Sequence, residues 1–162
     1  METLIFLLIV AVVIAVVKYR QYLLKGMCPR TFTTTLSQQQ VIDIFDNSVT
    51  RLGWKIINDR QPRVAGDHSL MGRGQQIALM FDETGDDELP DQPQDTMDLD
   101  ATTKGVVGVQ RWVSGWFMPK GAHTIRLRLN AFERAVEAAD EATKWERHPD
   151  ALKNPQTVGL SW

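Results

Sequence analysis

The chain is poor in the residues on which catalytic and secreted proteins most often depend. Among its 162 residues there is one cysteine, Cys28. A single thiol cannot close an intramolecular disulfide, which excludes the stapled framework of small secreted domains and suits a reducing compartment. Cys28 stands between Met27 and Pro29 with no adjacent histidine or acid to lower its pKa, so it does not read as a nucleophile. The three histidines, His68, His123 and His148, form no i,i+4 pair, so metal-ligand spacing is absent. Ser69 and Ser114-Gly115 lack the Gly-x-Ser-x-Gly setting of a nucleophile elbow. The glycines Gly72, Gly74, Gly105 and Gly108 precede no Gly-Lys-Ser/Thr and form no Gly-x-Gly-x-x-Gly between strand and helix, so they suit turns and strand kinks. No triad, metal set or phosphate loop emerges, and the expectation is a non-enzyme without a cofactor.

Long hydrophobic runs are also scarce, with one exception. Residues Leu4 to Val17 are apolar without interruption. A bilayer core of about 30 Å needs about 20 mostly apolar helical residues. The shortfall is met by Lys18, Tyr19, Arg20 and Tyr22, whose apolar stems and rings suit the interface, followed by Leu23 and Leu24. The expected membrane anchor is 2–24, with a juxtamembrane linker at 25–30. A cleaved signal peptide would want a cationic start and a small-x-small cleavage site; here the start is Met1-Glu2-Thr3, and large, charged residues follow the run. Cationic Lys18, Arg20, Lys25 and Arg30 all lie C-terminal to the run, so the expected orientation is N-terminus outside and body cytoplasmic, with these cations and Tyr19 and Tyr22 at the membrane interface.

The body, 31–146, has room for one domain of ordinary size. Thr31 to Leu36 is β-branched and aromatic, with Phe32, Thr34 and Leu36 on one face, and reads as a strand. Ser37-Gln38-Gln39-Gln40 matches a capping box, and Val41, Ile42, Ile44, Phe45, Val49 and Leu52 follow at helical spacing, with Gly53 as a left-handed terminator. Strands are expected at 54–58, 63–68, 75–81, 105–118 (one long strand or a kinked pair) and 123–129. In the last, Ile125, Leu127 and Leu129 would face inward and Arg126 and Arg128 outward. Asn130 would then cap a helix over 131–146, leaving 147–162 as a tail without pattern.

Charge is unevenly spread. Nine of the 20 acidic residues lie between Asp82 and Asp100, which leaves 18 basic against 11 acidic residues elsewhere. With Pro90 and Pro93 and few β-branched residues, 82–104 reads as an acidic mobile loop. Asp95, Asp98 and Asp100 offer oxygens to a cation, but without the spacing, glycine and closing glutamate of an EF-hand. Arg111, Lys120, Arg126 and Arg128 with Trp112, Trp116 and Phe117 resemble a nucleic-acid surface only superficially, because the net charge is −2 and alternating arginines usually mark the wet face of a sheet. The large apolar residues Trp112, Trp116, Phe117 and Met118 must point both ways along a strand. They are either core or a docking surface.

The element order β-α-β-β-β-β-β-α implies an α+β domain, one antiparallel sheet with two helices packed on it, and resembles the helix-grip group of folds. The whole layout is similar to small single-pass accessory subunits of bacterial respiratory supercomplexes, those of actinobacteria included. That likeness implies a non-catalytic subunit that docks on membrane protein partners, in the lipid bilayer and away from nucleic acid. The alternative is a membrane-tethered carrier, with an apolar ligand in a helix-grip cavity lined by Phe32, Phe45, Trp54, Phe81 and Phe132.

Overall fold

The computed structural model describes residues 2–51, 53–68, 74–82, 102–114 and 119–149. It opens with α1 (Glu2–Gly26), followed by β1 (Arg30–Thr34), α2 (Gln38–Val49), β2 (Trp54–Asn58), β3 (Arg63–Asp67), β4 (Gln76–Phe81) and β5 (Thr103–Arg111). The hairpin β6 (Val113–Ser114) and β7 (Pro119–Lys120) leads into α3 (Ala122–Ala139), and β8 (Lys144–Arg147) ends the described chain's regular structure. Six strands form one sheet in the order β2-β3-β4-β5-β1-β8, and every neighbouring pair is antiparallel. This is an α+β architecture.

Within α1, Thr3–Gly26 is long and apolar enough to cross a membrane, with a mean hydropathy of 2.3 over an 18-residue window. At 1.5 Å per residue its 24 residues extend for about 36 Å, slightly more than a bilayer core. The side chains from Leu4 to Ile14 lie open, Leu4 at 72% and Ile14 at 51% exposure. Its last turn and the residues just after it behave differently: Leu23, and then Met27 and Cys28, are buried in the core of the domain.

The capping box at the start of α2 forms as the sequence implies: the Gln40 amide donates to the Ser37 hydroxyl over 3.3 Å, and the Ser37 amide donates to the Gln40 carboxamide over 2.9 Å. Val41, Phe45 and Val49 turn inward at helical spacing. From β1, Phe32 meets Phe81, Phe132 and Trp145 at ring-centroid separations of 6.3, 6.2 and 5.4 Å, and Phe45 meets Phe132 at 5.5 Å, mostly edge to face. Burial of each such ring is worth about 1.5–3 kcal/mol, so this cluster is what holds the two helices to the sheet.

Three expected elements are corrected. The segment 123–129 is not a strand but the first half of α3, and Leu127, expected inward, is 51% exposed. The governing period is helical: Ala122, Ile125, Leu129, Phe132 and Val136 recur at three and four residues and are all buried. Asn130 therefore lies mid-helix, and the N-cap is Gly121, at φ +73°. At the other end α3 stops at Ala139, and 144–147 form β8 instead of a last helical turn. Asp140 makes this stop. Its carboxylate accepts from the Thr34 hydroxyl over 2.6 Å, the Thr35 amide over 2.8 Å and the Ala142 amide over 3.0 Å, which fastens the helix end to the end of β1. Helix α2 likewise ends at Thr50, before Gly53.

Candidate functional site

A cluster of charged side chains lies where α1 meets the domain. Arg30 opens β1, and the alternation of that strand places it on the same face as Phe32 and Thr34, directed inward. It is 1% exposed. Its guanidinium forms an ion pair with Glu133 of α3, donates to Asn130 Oδ1 over 2.7 Å and to the Gly26 carbonyl over 3.3 Å. The last bond satisfies one of the carbonyls that every helix leaves unpaired at its C-terminus. One side chain thus joins α1, β1 and α3. Arg147 of β8 donates to both carboxylate oxygens of Glu133 over 2.9 Å, completing an Arg-Glu-Arg cluster.

Electrostatics reflect this arrangement. Burial pulls the Arg30 guanidinium below its ordinary pKa, and the Glu133 carboxylate pulls it back. The hydrogen bond to Glu133 raises Arg147. Burial pushes the Cys28 thiol up, against the nearby Arg30 charge.

Around this cluster is a cleft of about 440 Å³, bordered by Tyr22, Lys25 and Gly26 of α1, by Arg126, Asn130, Glu133, Arg134 and Glu137 of α3, and by Arg30 and Arg147. The Arg126 guanidinium lies over the Tyr22 ring at 4.6 Å, a cation–π contact across the seam of the two helices. Gly26 is required there: a Cβ would collide with Cγ and Cδ of Arg126. Five cations line the cleft (Lys25, Arg30, Arg126, Arg134, Arg147) against two carboxylates (Glu133, Glu137), an excess of three positive charges. Buried Nε atoms of both Arg30 and Arg126 have no hydrogen-bond partner among the described residues. Chemically, the cleft suits an anion.

No protein-family model matches the chain, and no curated protein or solved structure does so either. Its function must be read from its own geometry.

A second cleft, of about 610 Å³, lies between α2 and α3 and is lined by Ser48, Arg51, Trp54, Thr124, Leu127 and Arg128 among others. There Arg128 donates to the Arg51 carbonyl. Among the described residues no group of histidine, cysteine and carboxylate side chains is placed to hold a metal ion.

The residues expected from sequence to mark the site are placed as follows. Tyr19 and Tyr22 are exposed on α1 with ring centroids 6.5 Å apart, and Lys18, Arg20 and Lys25 are exposed beside them. Arg30, also expected at the membrane interface, is the buried hub just described, because the period of β1 turns it inward. The expected linker 25–30 is packed: α1 runs on to Gly26, and Met27 and Cys28 enter the core. Trp112 is 9% exposed and belongs to the core cluster, so it offers no docking face. Trp116, Phe117 and Met118 lie outside the described residues, as does 83–101 of the acidic segment. The expectations had not joined Glu133, Asn130 and Arg147 to Arg30, since all three lie more than 90 positions away in the chain. The signal that was available is the inward register of Arg30 in an otherwise apolar strand face.

Proposed function

We propose that this chain is a non-catalytic accessory or assembly subunit of a larger membrane protein complex. One observation carries the reading: the end of the anchor is built into the domain by Leu23, Met27 and the Arg30 cluster. A tether needs only a flexible joint, and a fixed joint is of use when a domain must present one surface to a partner at a set angle. The open face of α1 from Leu4 to Val17 is then available to lipid and to neighbouring spans. The exposed cations Lys18, Arg20 and Lys25 favour the domain on the cytoplasmic side. Docking falls to Trp116, Phe117 and Met118, three large apolar residues that the sequence places just before β7.

The test is purification of the C-terminally tagged protein from native membranes in mild detergent, beside a Trp116→Ala/Phe117→Ala variant. A defined membrane complex that the folded variant fails to bring down supports the reading, and recovery of the protein alone in both cases overturns it.

The alternative is a lipid or small-ligand carrier of helix-grip type. Phe32, Phe45, Phe81 and Phe132 are buried, and their rings meet one another, which fills the space such a ligand would need. Among the described residues, the second cleft, which Trp54 and the exposed Leu127 both line, favours it. An apolar ligand recovered stoichiometrically with the pure protein would bring that reading forward.

A further inference from the structure

We infer that the cleft between α1 and α3 is a binding site for one phosphate group, supplied by the headgroup of an anionic phospholipid. The inference rests on the membrane-anchor reading of α1 and not on the accessory-subunit reading. Two observations support it. The lining carries an excess of three positive charges, and three of its cations, Lys25, Arg134 and Arg147, are exposed. A phosphate oxygen is the acceptor that arginine's planar fork fits best.

Location decides between sources of phosphate. The cleft borders the last turn of α1 at Tyr22, Lys25 and Gly26, and α1 is a few ångströms longer than a hydrocarbon core, so this turn lies at headgroup depth. A lipid in the adjoining leaflet reaches the cleft without leaving the bilayer. Glu133 is already engaged by two arginines, and Glu137 at the rim sets a limit on how much negative charge the cleft accepts. Such a site differs from the diffuse attraction that any cationic flank exerts on anionic lipid: it predicts one lipid per chain, held at defined residues.

Native mass spectrometry of the full-length protein, released from nanodiscs of phosphatidylcholine containing phosphatidylglycerol, reads this directly. The expected result is one phosphatidylglycerol retained per chain. An Arg126→Gln/Arg134→Gln variant should bind it at least ten-fold more weakly, since each cation near the surface is worth roughly five-fold. A Lys18→Gln/Arg20→Gln variant, which loses the same charge outside the cleft, should retain it. Should the first variant fail to fold by circular dichroism, Arg134→Gln alone, at an exposed position, replaces it with an expected loss of roughly five-fold. Equal losses in the cleft and flank variants, or a graded series of retained lipids, would overturn the site in favour of diffuse attraction. Inorganic phosphate that displaces the lipid at equal concentration would overturn the lipid source and leave a soluble phosphate site. Flotation of all variants with vesicles is the control; a protein that fails to float refutes the anchor, whatever the cleft binds.

Discussion

Arg30 is buried with Glu133 as its counter-charge, and the consequences of breaking that pair are unequal for its two arginines. Removing Glu133 leaves a buried guanidinium uncompensated, which costs about 3–5 kcal/mol, so Glu133→Ala should lower the thermal midpoint strongly. Arg147, whose side chain is 55% exposed, contributes a screened interaction, and Arg147→Gln should cost less than about 1 kcal/mol. Thermal unfolding of the detergent-solubilised protein followed by circular dichroism separates the two. Asp140 supplies a pH dependence. Hydrogen bonds from Thr34, Thr35 and Ala142 hold its carboxyl well below the usual carboxylate range. Its folded value is thus lower than its unfolded value of about 3.9, so its stabilising effect is complete above pH ~4 and fades as pH falls below that. Asp140→Asn should therefore have a lower melting midpoint than the parent at neutral pH, with the gap closing in acid. A gap that persists unchanged below pH ~3 would contradict this account.

Among the elements, α2 and α3 show how differently two helix starts can be made. Ser37→Ala removes half of a capping box and should cost about 1 kcal/mol, read as a lower denaturation midpoint. Gly121→Ala should cost more than that. Gly121 sits at φ +73°, and a Cβ there would collide with the carboxamide of Gln75, which is buried and donates to the Lys120 carbonyl over 2.8 Å. The same contrast explains which elements could be read from the sequence. Helix α2 has a side-chain cap and an apolar stripe, and β2 to β4 have strand-forming residues between turn signals, so their positions are legible within a residue or two. Helix α3 has no side-chain cap, and its first residues, Ile125 to Leu129, alternate apolar with arginine. Over five residues the two periods cannot be distinguished, and only the run on to Phe132 and Val136 decides for a helix. Strand β8 gains its place from pairing with β1, a long-range partner that no local pattern announces. The cleft is hidden for that reason: its pieces come from α1, β1, α3 and β8, and although Tyr22, Lys25 and Arg30 stand out near the apolar run, no local pattern joins them to Glu133 and Arg147.

For the molecule as a whole, the boundary between anchor and domain is not where hydropathy alone would draw it. Leu23, Met27 and Cys28 belong to the core, and together their burial is worth several kcal/mol, a large part of the roughly 5–15 kcal/mol that keeps a domain folded. A truncated chain beginning at Leu23 should be recovered folded, whereas one beginning at Arg30 should lose much of its stability or aggregate; the melting midpoints of the two chains provide the comparison. Because no slack separates α1 from β1, the helix and the sheet turn as one piece. A span slightly longer than the hydrocarbon layer adjusts to a thinner bilayer by tilting. On the membrane-anchor reading such a tilt would carry the sheet with it, with the largest displacement at β2, the edge strand farthest from the sheet's β1 and β8 end. The thickness of the surrounding lipid would thereby set the angle at which the domain meets whatever stands beside it.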